Sequence, residues 1–503
     1  MTGASANRGR GDRRPLPAFD WRVGWIAAAA IAVLLVTAGG YGYHRDELYF
    51  IVAGQHPDWG YPDQPPFSPL LAAAIHAIVP GSLLALRVPS ALALGGIVLL
   101  GALLAREMGG GRFAQLLTAA AVGVCTFPLA VGHLLSTATF DLLAWVALTW
   151  LVARVMRTGD GRLWLAAGAV VGLALQNTHL IGLLVAALAV GILTTPEHRR
   201  HLRSRWLWAG AMVAAAIWTP NLVWQATHGW PALAIARDIA SQEASLGGRF
   251  EFVFLQLVIF GAGASLLIGI GLHRLVRTTE GRPFRVFAWA AGLLFVLFTI
   301  TSGKAYYLVG LYPALVAAGS VTVEGWRAGW HLALGSAVLV LGALPAPIGL
   351  PILPADAFAR SFYAVPGEDQ LNTIGWPEFL AAVAAAHASI PEEQRATAVI
   401  VTGNYGEAGA VAVLGRLRGL PAAYSGHNAY GLWGLPPKGS GPVIVVGYGE
   451  ERMAAAFTGC RTVATIDNGI DAPTEEQGLP VWVCDGPRGR WAEVWPGLVH
   501  LSG

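Results

Sequence analysis

The stretch Tyr43-His44-Arg45-Asp46-Glu47-Leu48-Tyr49-Phe50, continued by Gly60-Tyr61-Pro62-Asp63-Gln64-Pro65-Pro66, follows directly on the first strongly apolar segment of the chain. It gathers His44, Arg45, Asp46, Glu47 and Asp63 in a sequence otherwise poor in charge. Of 503 residues, 55% are hydrophobic and only 13% charged, against about 25% charged in an average soluble protein. A carboxylate at or below the headgroup level of a bilayer costs a few kcal/mol unless it is paired or solvated. One acidic residue there is explained by interfacial solvation; a cluster implies a water-filled cavity in which chemistry takes place.

Outward from this loop, apolar runs recur at 24–40, 84–104, 113–131, 137–153, 163–176, 179–194, 206–224, 252–272, 286–301, 306–321 and 331–350. Each approaches the length needed to cross a hydrocarbon core of about 30 Å. The reading is an α-helical polytopic membrane protein with about 11 transmembrane helices plus interfacial helices, its membrane domain spanning residues 21–354. With the N-terminus in the cytoplasm, the arginines at 106–112, 154–162, 199–205, 274–285 and 327 all fall on the cytoplasmic side. Only Arg45, Arg87, Arg237, Arg249 and Lys304 fall on the other, the bias expected of a membrane protein. Residues 163–194 read as two short helices hinged at Gln176-Asn177-Thr178-His179, because a single helix would measure about 48 Å. Residues 1–20, with Arg8, Arg10, Arg13 and Arg14 among Gly, Pro and Ser, read as a disordered cytoplasmic N-terminus. No small-residue cleavage site follows the run at 24–40, so that run reads as a retained anchor.

An odd number of spans sends the C-terminus outside, and from about residue 355 the composition changes: charges, Pro and Asn rise and apolar runs shorten. Residues 355–503 read as a small extracytoplasmic α/β domain. Its buried strands are expected at Val399-Ile400-Val401-Thr402, Val443-Ile444-Val445-Val446 and Val481-Trp482-Val483, and its helices at 377–387 and 407–414. Gly403-Asn404-Tyr405-Gly406-Glu407-Ala408-Gly409 reads as a plain strand-to-helix turn in preference to an anion cradle. Cys460 and Cys484 are either a disulfide of an oxidising compartment or two chance cysteines.

Residues 46–56 read as an interfacial helix with Asp46, Tyr49 and Phe50 on one face, and residues 70–79 as a second one lying on the membrane. Asp46-Glu47 after the first span, Gly60-Tyr61-Pro62-Asp63-Gln64-Pro65-Pro66, and Lys304-Ala305-Tyr306-Tyr307-Leu308 with Tyr312-Pro313 resemble the family 39 glycosyltransferases. These are bacterial relatives of the protein O-mannosyltransferases and of the aminoarabinose lipid A transferases, with the GT-C fold. Pro220-Asn221-Leu222-Val223-Trp224 with His228-Gly229-Trp230-Pro231 resembles the same family. In the tail, Asn404-Tyr405-Gly406-Glu407-Ala408 and Ser425-Gly426-His427-Asn428 resemble the extracytoplasmic domain of some members.

The resemblance implies inverting transfer of a monosaccharide from a polyprenyl-phosphate donor to an acceptor on the outer face of the plasma membrane. Asp46 is then the expected general base, with Glu47 positioning the acceptor or tuning Asp46. Lys304, supported by Arg87 or His44, is expected to stabilise the departing lipid phosphate. Arg45, Tyr49, Tyr61, Asp63, Asp141, His179, Tyr306 and Tyr307 are expected to line the substrate site. No His-rich or Cys-rich ligand spacing is present, so no obligatory metal or cofactor is expected, although some GT-C enzymes use a divalent ion. The expected partners are the lipid-linked sugar and the surrounding membrane lipid, without nucleic acid. The acceptor is open between protein, lipid and cell-envelope glycan. The competing readings are a transporter or flippase, against which stands the absence of an internal repeat, and a glycan ligase using a longer lipid-linked donor.

Overall fold

The computed structural model describes residues 16–242 and 246–502. Of the N-terminal segment expected to be disordered, residues 1–15 lie outside the described residues. Residues 16–20 run along the first helices, with the Pro17 and Ala18 carbonyls accepting from Arg106 and Gln115.

A helix forms at each apolar run: α1 (Val23–Thr37), the loop helices α2 (Arg45–Gln55) and α3 (Phe67–Ile78), α4 (Leu83–Glu107), α5 (Arg112–Val124), α6 (Thr126–His133), α7 (Thr137–Thr158), α8 (Leu163–Leu175), α9 (Ile181–Thr194) and α10 (Arg205–Thr227). There follow α11 (Pro231–Gln242), α12 (Leu246–Leu255), α13 (Ala262–Arg277), α14 (Arg285–Thr301), α15 (Tyr312–Glu324) and α16 (Ala328–Ala343). Among the described residues five helical stretches are long and apolar enough to cross a membrane alone, and up to seven if each bent pair is one span. The chain is a multi-pass membrane protein. Ionic contacts link its basic loops: Arg112 with Asp20, Arg157 with Glu107, and Arg282 with Glu197.

Two expected spans are broken. The run 113–131 bends by 58° between α5 and α6, where Cys125 is extended and Pro128 lacks the N–H that would bond to the Val124 carbonyl. The run 252–272 is interrupted between α12 and α13. There Gly261 adopts φ +98°, and Gln256, one residue past α12, donates to the Phe252 and Ala305 carbonyls and accepts from the Tyr312 hydroxyl. The hinge between α8 and α9 is present and built into the bundle. The Gln176 carbonyl caps α3 through the Phe67 N–H, Asn177 joins Ser68 (2.8 Å) to the Thr137 carbonyl (2.7 Å), and His179 bonds Asn221 (2.9 Å).

The C-terminal unit is a five-stranded sheet of order β2-β1-β3-β6-β5, from β1 (Val399–Thr402), β2 (Ala423–Ser425), β3 (Val443–Val446), β5 (Arg461–Thr465) and β6 (Pro480–Cys484); β4 (Phe457–Thr458) pairs apart with β7 (Gly486–Pro487). The first three neighbours are parallel, and β6 and β5 are antiparallel additions. Side chains alternate as a pleat requires. Val399, Val401, Val443 and Val445 meet Trp491 and Trp495 on one face. Ile400, Ile444 and Val446 on the other face share a core with Phe379, Leu380 and Val383 of the Trp376–Ala388 helix and with Leu48, Ile51 and Val52 of α2. The sheet unit is therefore packed directly onto the loop helix by a continuous apolar core. Cys460 and Cys484 form a disulfide.

Candidate active site

The loop is fixed from below by one buried ion pair. Glu47 is 0% and Arg87 1% exposed. Arg87 donates from Nε and Nη2 to the two Glu47 oxygens at 2.9 and 2.8 Å. Its remaining donors go to the Ala38 and Gly42 carbonyls (2.7 and 2.8 Å), with His133 Nε2 at 3.0 Å from Nη1. Glu47 also accepts from the Leu135 N–H (3.0 Å) and, closing a capping box, from the His44 N–H (2.9 Å). Both groups are surrounded by their own partners. Glu47, expected to position the acceptor or tune Asp46, and Arg87, expected beside a lipid phosphate, are thus paired with each other in the interior at the start of α2. His44, expected near the phosphate, is instead the α2 cap. Its Nδ1 accepts the Asp46 N–H (3.1 Å) and its Nε2 faces Asp369 at 3.8 Å.

That cap leaves Asp46 in the first turn of α2 with a side chain 34% exposed. Its Oδ1 accepts from the Tyr405 hydroxyl (2.9 Å) of the sheet unit. One turn on, the Tyr49 hydroxyl donates to Asp63 Oδ1 (3.0 Å). Asp63 Oδ2 faces the Asn428 amide (3.4 Å), again from the sheet unit. Burial pushes the Asp63 carboxyl up to about 7, with nearby Asp46 adding to the rise and the Tyr49 and Asn428 hydrogen bonds opposing it. Two other residues expected at the substrate are engaged by partners within the protein. Arg45 is ion-paired with Glu475 and lies over the Tyr405 ring at 5.9 Å. Tyr61 is buried, its hydroxyl closing the end of α2 on the Ala53 and His56 carbonyls (2.8 and 3.1 Å).

Asp63 opens into a cavity of about 660 Å³ lined by Asp141, His179, Lys304, Tyr306 and Tyr307, with the face of α11 that carries Arg237 as a wall. Six of the expected site residues thus meet in one space. Asp141 accepts from the Trp145 indole (3.1 Å). Tyr306 stacks on Phe127 at 5.6 Å. Lys304 precedes a 3₁₀ turn, Ala305–Leu311, that leads into α15. The Pro220–Trp224 motif clasps the loop from the side: Asn221 donates to the Trp59 carbonyl (2.9 Å) and the Trp224 indole to Asp58 (2.8 Å). Among the described residues no group of three or more His, Cys, Asp or Glu side chains is arranged as metal ligands.

Three residues at the site carried no assigned role in the sequence reading: Arg237, Tyr405 and Asn428. Arg237 stood out as a basic residue on the side poor in them. Tyr405 and Asn428 belong to tail motifs whose partners lie more than 350 residues away in the chain.

The Gly403–Gly409 turn holds a buried acid. Glu407 bonds the Asn404 N–H (3.1 Å) in a capping box, and burial followed by nearby Glu476 pushes its carboxyl from 4.5 up to about 8. Folded, the group keeps its proton to about pH 8, whereas unfolded it loses it near 4.5. Its contribution to stability is therefore full below pH 4.5 and falls as pH rises toward 8. Glu407→Gln, which preserves the cap acceptor, is expected to shrink the loss of thermal midpoint between pH 5 and pH 9 by several degrees. An unchanged loss in a thermal scan would contradict this.

Residues 63–224 match the family model of dolichyl-phosphate-mannose-protein mannosyltransferases. No curated protein matches the chain. Among solved structures it is similar to ArnT from Cupriavidus metallidurans bound to undecaprenyl phosphate, with TM-score 0.59 and 15% identity over 92% of this chain and 97% of that one. The apo form of the same protein matches with TM-score 0.60 and 16% identity over 92% and 98%. The fold is that of the GT-C glycosyltransferases, and it extends through the C-terminal sheet unit.

Proposed function

We propose that this protein is an inverting glycosyltransferase that moves a monosaccharide from a polyprenyl-phosphate donor to a protein, lipid or cell-envelope acceptor on the outer face of the plasma membrane. The observation that carries the reading is one cavity lined by both Lys304 and Arg237 and by the carboxylates Asp63 and Asp141, with Asp63 bonded to Tyr49 one helical turn from Asp46. Lys304 has no carboxylate partner among the described residues. A monoester or diester phosphate departing from a sugar gains negative charge, and two cations in a space with apolar walls stabilise it where water would not. Undecaprenyl phosphate in the similarly folded ArnT supports a lipid phosphate as the occupant.

In the transfer step the acceptor oxygen forms a bond to the anomeric carbon while the bond from that carbon to the phosphate oxygen breaks. The bonding pair leaves on the phosphate, and the acceptor proton passes to the free oxygen of Asp46. Asp63 and Asp141 offer acceptors for sugar hydroxyls. Two features favour an extracytoplasmic site: the arginine-rich loops lie away from it in sequence order, and the sheet unit packed on α2 carries a disulfide.

Binding of undecaprenyl phosphate tests the occupant without knowledge of the sugar. Lys304→Ala and Arg237→Ala are each expected to weaken it about ten- to a hundredfold, the loss of one charge-assisted hydrogen bond. Wild-type affinity in both variants would remove the phosphate from this cavity. Transfer in membranes from a panel of radiolabelled polyprenyl-phosphate monosaccharides then names the donor, and no turnover beyond that of an inactive control would favour the ligase or transporter readings.

A further inference from the structure

The acid expected to take the acceptor proton lies on the membrane half, but one of its two oxygens is held from the other half of the molecule. Tyr405 Oη donates to Asp46 Oδ1 at 2.9 Å. The Tyr405 ring is fixed in turn. It stacks on Tyr49 with centroids 4.6 Å apart and 29° between planes, has Arg45 above it, and borders His427 at 4.8 Å. The short helix Tyr405–Ala410 comes close enough to α2 that a Cβ on Gly406 would lie 2.7 Å from Arg45 Cβ, and one on Gly409 3.0 Å from Leu48 Cβ. Glycines three residues apart thus form the contact face, and the Asn404–Glu407 capping box fixes the start of the helix. A second strut is parallel to the first. Asn428, with φ +49° in the left-handed region that few side chains adopt, directs its amide at Asp63 and is held there by Ser502 through bonds of 3.0 and 3.2 Å.

Resting on the reading of Asp46 as the base, we propose that the C-terminal sheet unit completes the transfer site and that Tyr405 is the positioning residue for Asp46. The terminal torsion of an aspartate is broad, so a carboxylate held only by its own backbone samples many orientations toward an acceptor hydroxyl. A phenol on Oδ1 selects one of them, with Oδ2 3.9 Å from His44 Nδ1. The sheet unit is then a working part of the enzyme and not an appended binding module.

The experiment compares Tyr405→Phe, Asp46→Asn and the double variant in membranes, using whichever polyprenyl-phosphate monosaccharide of the panel the wild type consumes. Phenylalanine keeps the stacking and removes only the hydroxyl. Tyr405→Phe is expected to lower kcat about tenfold, the worth of one hydrogen bond to a charged group, with KM for the lipid-linked sugar unchanged. The double variant is expected to be no slower than Asp46→Asn, since the two groups act as one unit. A Tyr405→Phe enzyme with wild-type kcat beside an inactive Asp46→Asn overturns the proposal and leaves the base in place. An Asp46→Asn variant indistinguishable from wild type overturns the base assignment, and the role of Tyr405 falls with it.

Discussion

Transfer by an Asp46→Asn variant is expected to fall by about 10²–10⁴-fold, the range over which a positioned general base contributes, with KM for the donor little changed. The asparagine is nearly isosteric and can still accept the Tyr405 hydroxyl through its amide oxygen, so the loop and the docked sheet unit stay in register. What is lost is the capacity to accept a proton. An equal loss in donor binding would place Asp46 on the sugar instead. Asp63 is the natural competitor for the role, because its carboxyl is raised to about 7 and it lines the cavity directly. The rate profile separates the two. Asp63→Asn is expected to retain most of kcat; loss in Asp63→Asn with kcat retained in Asp46→Asn would make Asp63 the base, and equal loss in both would mean that the two carboxyls work as a unit.

The path from sequence to this site was uneven, for physical reasons. Apolar runs and arginine-rich loops are local signals, and the helices followed them. Where a run hid a break, the cause was a single residue: Pro128, which has no N–H to donate, or Gly261, which takes a positive φ. In the tail, the fully buried strands β1 and β3 read directly as runs of branched residues. Strand β2 has three residues, and β5 is an exposed edge with a register shift, so neither had an apolar run to mark it. Within the site, the cluster at 44–47 was visible as a set of charges, but its division of labour was not. Adjacent residues on a helix point about 100° apart. Asp46 therefore faces the docked Tyr405, whereas Glu47 turns inward to a partner 40 residues away. Composition could mark both carboxylates and could not say which was covered.

That division leads to the largest effect on the folded state. Arg87→Ala is expected to destabilise the protein by about 3–5 kcal/mol, the cost of leaving the partner of a buried ion pair uncompensated. Glu47 would remain at 0% exposure without its bidentate partner, and the Ala38 and Gly42 carbonyls would each lose a donor. The expected readout is loss of folded, monodisperse protein after mild detergent extraction, with transfer lost in proportion to the amount of folded protein. Glu47→Gln with Arg87→Met removes both charges while approximately keeping volume, and is expected to recover part of the stability, because the uncompensated charge and not the missing attraction is the main penalty. A phosphate-binding Arg87 predicts the opposite pattern. Arg87→Ala would then fold normally and fail only at low donor concentration, and the paired replacement would rescue nothing. The two patterns separate on one thermal scan and one donor titration. If Arg87→Ala were as stable as wild type with donor affinity reduced, the assignment of the lipid phosphate to Lys304 and Arg237 would have to be redrawn around α4.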